Sequence, residues 1–212
     1  ANFFILSENR KRIRKKKLPK KFSEQKSISL KNKLPFKLTE SQEKVLKEIN
    51  DDLADKKRMF RIVQGDVGSG KTIVSLLAIL NVIESGYQCA LMAPTEILAK
   101  QHFELAKKIF DNSGLKLDFI TGKTEYKKRK NILNDLEIGK TNLLIGTHSL
   151  FQKKIRFNKL GFVVIDEQHK FGVKQRTELA LKGGNNCDVL LMSATPIPRT
   201  MMMSLYGDMS VS

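Results

Sequence analysis

Eight consecutive residues, Gly65-Asp66-Val67-Gly68-Ser69-Gly70-Lys71-Thr72, narrow the fold of this chain more than any other stretch. They follow an apolar run (Arg61-Ile62-Val63) and lead into a helix-like one (Ile73-Val74-Ser75-Leu76-Leu77). This is the full G-x-x-x-x-G-K-[ST] pattern in strand–loop–helix context. The glycines let the backbone curl so that its N–H groups converge on phosphate oxygens, and the helix N-terminus adds positive potential at the same point. The pattern assigns the whole octapeptide to nucleotide binding. Lys71 is expected at the β- and γ-phosphates of ATP, and Thr72 is expected to offer its hydroxyl to Mg2+.

The rest of the chain supplies the sheet that such a loop requires. Short runs rich in Val, Ile and Leu lie at 60–63, 90–92, 117–120, 143–145, 162–165 and 189–192. They are near-continuous rather than alternating, as in strands covered on both faces. Between them come helix-like stretches at 40–53, 72–84, 97–110, 126–136 and 174–181. That alternation predicts an α/β domain in three layers with a mostly parallel central sheet. Residues 1–34 lack it. They carry a run at 10–21 that is nearly all Lys and Arg, then several serines, and they read as a short helix fraying into a linker punctuated by Pro35. The expected division is therefore a basic helix and linker over 1–34 and one domain over 35–212.

Ligands of parallel sheets sit at the carboxyl ends of the strands, and further chemistry-bearing residues fall there. Phe162-Val163-Val164-Ile165 ends in Asp166-Glu167-Gln168-His169. A carboxylate at that place can hold Mg2+ and its neighbour can deprotonate an attacking water, so Asp166 is assigned to the metal and Glu167 to the general base. Ser193-Ala194-Thr195 closes the last run. Hydroxyls of Ser193 and Thr195 facing Gln168 and His169 would relay the state of the γ-phosphate. Gln42 admits two readings that are compatible. Its amide can pair with adenine while Phe36 stacks on the base, and Thr39 with Gln42 also forms a capping box at a helix start. His102, on an amphipathic stretch, and Met201-Met202-Met203 read as packing residues.

The chain holds 39 Lys and Arg against 22 Asp and Glu, a net charge of +17. Such an excess points to a polyanionic partner, nucleic acid first, although a basic run alone is as often a solvated face. Cys89 and Cys187 lie beside apolar runs with no Cys/His cluster near them, which reads as two reduced thiols in a cytoplasmic protein and no zinc site. No run approaches membrane-spanning length.

Taken in order, Gln42, the loop at 65–72, Ala93-Pro94-Thr95-Glu96, Gly146-Thr147-His148, Asp166-Glu167-Gln168-His169 and Ser193-Ala194-Thr195 resemble the first RecA-like lobe of superfamily 2 helicases. The resemblance covers about residues 36–207. The longer phrases Asp166-Glu167-Gln168-His169-Lys170-Phe171-Gly172-Val173 and Ser193-Ala194-Thr195-Pro196-Ile197-Pro198-Arg199-Thr200 are similar to the RecG family of branch-migrating DNA helicases. They are also similar to the Mfd-type transcription-repair coupling translocases, but the phrases from Val63 to Thr72, Ala93 to His102 and Gly146 to Gln152 lean to the former. The resemblance implies an ATP-driven bacterial motor, working with the nucleoid on replication forks and Holliday junctions in recombination and repair. It implies DNA contacts at Pro94, Thr95 and Glu96, at Thr121, Gly122 and Lys123, at Gly146, Thr147 and His148, and at Arg199. It also implies a wedge domain upstream and a second RecA-like lobe downstream that supplies an arginine to the γ-phosphate, so this chain by itself is expected to hydrolyse ATP slowly. A small-metabolite kinase with the same loop would lack the Asp-Glu-Gln-His and Ser-Ala-Thr pair. A DNA-binding module with a decayed nucleotide site would lack Lys71, Thr72, Asp166 and Glu167.

Overall fold

A computed structural model describes residues 17–166 and 184–194, together with the backbone of a two-residue strand at 210–211. Its elements run α1 (Gln25–Asn32), α2 (Glu40–Ala54), β1 (Phe60–Gln64), α3 (Lys71–Glu84), β2 (Gln88–Met92), α4 (Glu96–Ile109), β3 (Leu117–Ile120), α5 (Tyr126–Glu137), β4 (Leu143–Gly146), β5 (Leu160–Ile165), β6 (Asp188–Ser193) and β7 (Ser210–Val211). Each of the six apolar runs lies within a strand. Four of the five expected helices are present, and the fifth, at 174–181, lies outside the described residues. The strand β7 has no counterpart in the apolar pattern.

The strands form one sheet in the order β3-β4-β2-β5-β6-β1-β7, and every pairing between them is parallel. Successive residues of a strand enter opposite cores. Cys89, Leu91, Phe162, Val164, Leu190 and Met192 join the core formed with α2, α3 and α4. Ala90, Met92, Val163, Ile165, Val189 and Leu191 join the opposite one, which includes Ile132 and Leu136 of α5. Coverage of both faces is why the strands show no polar alternation. The architecture is the three-layer α/β domain expected from the sequence. The helix α3 is apolar around most of its circumference because it sits centrally, with buried residues at every position from Ile73 to Val82.

Residues 17–32, expected to be a helix and linker, pack against the sheet and helices. Lys17 and Lys20 are buried, and both ammonium groups reach the carboxylate of Asp188 at the start of β6, at 2.7 and 2.5 Å. Lys17 also donates to the carbonyls of Asp52 and Leu53. Burial pulls the Lys17 ammonium below its ordinary value, and Asp188 pulls it back up. Lys20 further lies over one face of Tyr87, whose ring also meets Lys159. Next along, α1 packs on α3, and a polar chain runs inward from it. Asn81 donates to Asn50 at 2.9 Å, and Asn50 donates to Glu24 at 3.1 Å.

Candidate functional site

Three neighbouring strand ends build the site. In the sheet β5, β6 and β1 lie side by side, so the loop after β1 and Asp166 after β5 flank the end of β6. The loop is tied to β6 directly, since the Gly65 N–H donates to the Ser193 carbonyl at 3.2 Å. Within the loop the Ser69 N–H donates to the Asp66 carbonyl. Gly68 and Gly70 have φ of 82° and 81°, values that side chains with a Cβ seldom adopt. Gly70 is the N-cap of α3, so the first turn of that helix directs its unpaired N–H groups into the loop.

The Lys71 ammonium lies inside this curl. It donates to the carbonyls of Gly65 (2.5 Å) and Asp66 (2.7 Å) and to Ser69 Oγ (3.3 Å). A lysine that satisfies its donors on the loop's own oxygens is placed where a phosphate would exchange with them. Space around the loop is limited by design of its residues: a Cβ at Gly65 would stand 2.8 Å from Ser69 Oγ, and one at Gly70 would overlap the amide nitrogen of Gln42.

Of the two readings of Gln42, the capping box is seen directly, with Thr39 Oγ1 accepting from the Gln42 N–H and Gln42 Oε1 accepting from the Thr39 N–H. The same side chain then donates through Nε2 to the Ser69 carbonyl at 2.7 Å. One amide thus joins the start of α2 to the phosphate loop, and it keeps one N–H and one lone pair for a further partner. Phe36 is half exposed and lines a cleft of about 760 Å3 that also includes Ile73, just beyond the loop.

Asp166 is nearly buried at 8% exposure. Its N–H donates to the Met92 carbonyl at 2.8 Å, and its Oδ2 meets His102 Nε2 at 2.7 Å. A carboxylate at this strand end is a donor of the kind Mg2+ takes, since that ion uses few protein ligands and completes its octahedron with phosphate and water oxygens. Among the described residues there is no group of three or more His, Cys, Asp or Glu that could hold a metal by themselves. Glu167, Gln168, His169, Thr195 and Arg199 lie outside the described residues. Ser193 is buried at the end of β6.

The other expected segments form a continuous edge on the adjoining strands β2, β4 and β3. Thr95 caps α4 by accepting from the Leu98 N–H. Glu96 pairs with Lys123 at 3.2 Å, which brings the turn of Thr121, Gly122 and Lys123 to the start of α4. Gly146 packs so closely under β3 that a Cβ there would overlap the Ile120 carbonyl. Thr147 is buried with no partner for its hydroxyl among the described residues, while His148 is exposed. Pro94 is partly exposed between β2 and this edge. Arg129 of α5, not singled out by the sequence, spans the edge by donating to the Thr121 carbonyl and to Gln152 Oε1.

Both cysteines are buried, and burial pushes the Cys187 thiol up to about 12 and that of Cys89 well above its ordinary value. Among the described residues no helix is long and apolar enough to cross a membrane.

Comparison with known proteins agrees with this geometry. The model of the DEAD/DEAH box helicase family matches residues 39–204. The chain is 48% identical over 208 residues to the ATP-dependent DNA helicase RecG of Streptococcus pneumoniae, covering 98% of this chain and 30% of that protein. It is 43% identical over 214 residues to the RecG of Thermotoga maritima, covering 99% and 27%. The solved structure of RecG bound to a three-way DNA junction superposes with a TM-score of 0.83 at 41% identity, over 98% of this chain and 27% of that one. The UvsW helicase of bacteriophage T4, at 16% identity and a TM-score of 0.65, shares the fold. The chain therefore spans under a third of the length of these RecG relatives. Most of its length matches the family model, which sets a small-metabolite kinase aside: the chain belongs to the DEAD/DEAH box helicase family.

Proposed function

We propose that this chain is the ATP-binding motor lobe of an ATP-dependent DNA helicase acting on branched DNA. The observation that carries the reading is the juxtaposition on one sheet edge. The phosphate loop and Asp166 stand at β1 and β5, and the proposed DNA-facing segments stand at the adjoining β2, β4 and β3. The nearest of these segments, after β2, is then one strand from Asp166 and three from the phosphate loop. The named relatives are RecG helicases, and one was solved on a three-way DNA junction, which favours branched DNA over the transcription-coupled alternative.

In this reading the loop N–H groups and Lys71 hold the β- and γ-phosphates of ATP, while Gln42 and Phe36 receive the adenine. Thr72 and Asp166 would hold Mg2+. When bound, the ion would neutralise charge on the phosphates. Glu167 accepts the proton of the attacking water, and Gln168, His169, Ser193 and Thr195 pass the change onward. Hydroxyls, backbone N–H groups and Lys123 along 94–96, 121–123 and 146–148, with Arg199, suit phosphate contacts that carry no base readout. The RecG relatives are more than three times as long, which supports a wedge domain and a second lobe working with this one, in a bacterial protein acting on the nucleoid.

Two measurements test the reading. Lys71→Ala is expected to abolish detectable binding of a fluorescent ADP, and binding that survives unchanged would falsify the nucleotide assignment. The full-length protein is expected to turn over ATP faster on forked than on linear duplex DNA. Equal stimulation by both would remove the branched-DNA assignment.

A further inference from the structure

We propose that His102 is a positioning residue for the metal-holding carboxylate of Asp166. The inference rests on the reading of Asp166 given above and adds a residue to that site.

The geometry comes from one βα unit. Strand β2 ends at Met92, whose carbonyl accepts from the Asp166 N–H at 2.8 Å. Four residues later α4 begins, and on its second turn His102 points back to the same aspartate, with Nε2 2.7 Å from Oδ2. Backbone and side chain of Asp166 are thus both held by consecutive elements of the chain. The neighbours of His102 on the buried face of α4 are Ala99 and Ala106, each at 0% exposure. They are too small to keep the helix off the sheet, and the imidazole is the one long polar side chain on that stripe.

The chemistry follows from what a metal carboxylate needs. Asp166 sits at the end of a strand with its side chain 12% exposed, and that of His102 is 10% exposed. A carboxylate there has two oxygens and two rotational choices about its last bond. A donor fixed on Oδ2 removes that freedom and leaves lone pairs on the group to face the ion. Carboxylates that bind metals are themselves hydrogen-bonded for this reason, and loss of such a partner weakens metal binding by about 10- to 100-fold. The Nε2 atom must carry a hydrogen to serve, because an ionised carboxylate only accepts.

The test uses Mn2+ as the probe, with its binding to the ADP complex of this chain followed by electron paramagnetic resonance. Metal-free ADP affinity is measured in parallel. His102→Leu keeps the packing and removes the donor. It is expected to lower Mn2+ affinity about 10-fold or more while leaving metal-free ADP affinity unchanged. His102→Gln, whose terminal amide reaches about as far as Nε2, is expected to restore most of the affinity. His102→Asn, a carbon shorter, is not. Unchanged Mn2+ affinity in His102→Leu overturns the proposal, as does an equal loss of metal-free ADP binding, which would mark general damage to the lobe. Should the Leu variant fail to fold, failure of the folded Gln variant to exceed the Asn variant overturns it equally. Asp166→Asn separates the two readings. If it leaves Mn2+ affinity intact, the metal assignment itself has failed. If it lowers the affinity and His102→Leu does not, only the role of His102 has.

Discussion

Single side chains carry unequal weight in this domain, and the clearest case lies away from the nucleotide. Asp188 is fully buried against two lysines, Lys17 and Lys20, and its other oxygen accepts from the Met59 N–H. The Coulombic gain of such a cluster is largely offset by the cost of taking three charges from water. Removing one sign is a different matter. Asp188→Ala leaves two ammonium groups buried without a counter-charge and is expected to destabilise the chain by about 3–5 kcal/mol. Replacing all three residues by apolar ones of similar volume is expected to recover most of that loss. Urea denaturation of the two variants checks the pair of outcomes, and equal destabilisation would mean that packing, not charge, dominates. The same cluster shows that a basic run need not face a polyanion.

Among the elements, α2 has a second task beyond covering the sheet. Its capping box uses Thr39 and Gln42, and Gln42 also braces the loop through the Ser69 carbonyl. Thr39→Ala removes the acceptor for the Gln42 N–H. It is expected to cost about 1 kcal/mol of stability and to weaken ADP binding, because fraying of the first turn of α2 loosens the Thr39 N–H that holds Gln42 Oε1. Thr39→Ser keeps the hydroxyl and is expected to preserve both. Urea midpoints and ADP titrations distinguish these outcomes. A stability loss with no change in ADP affinity would show that the cap and the brace are independent. The helix α4 likewise joins two places, with Thr95 and Glu96 at its exposed start and His102 on its buried face.

For the whole molecule, the relevant fact is that the site occupies one edge of one sheet. A partner lobe that inserts an arginine contributes about 10³- to 10⁵-fold to related phosphoryl transfers. This chain alone is accordingly expected to hydrolyse ATP at least about 10³-fold more slowly than the full-length protein on DNA. Steady-state phosphate release from the two, at saturating ATP, measures the ratio. Comparable rates would place the whole catalytic apparatus within these residues.

Much of this was legible in the residues alone. The phosphate loop, the six core strands, four helices and the cap at Thr39 depend on neighbours within a few positions. Their chemistry is short-range: glycine torsions, apolar runs, one side chain reaching three residues along. Other features depended on strand order, which local pattern does not contain. His102 and Asp166 are 64 residues apart and meet only because β2 lies beside β5. Lys17 and Asp188 are 171 apart and meet because the leading segment folds back across β1 and β6. In sequence the first pair looks like a packing histidine and a metal ligand, and the second like a linker charge and a strand start. Local chemistry thus marked the candidate nucleotide-binding groups, and the parallel sheet decided which buried partners meet, because desolvated polar groups must find each other across the fold.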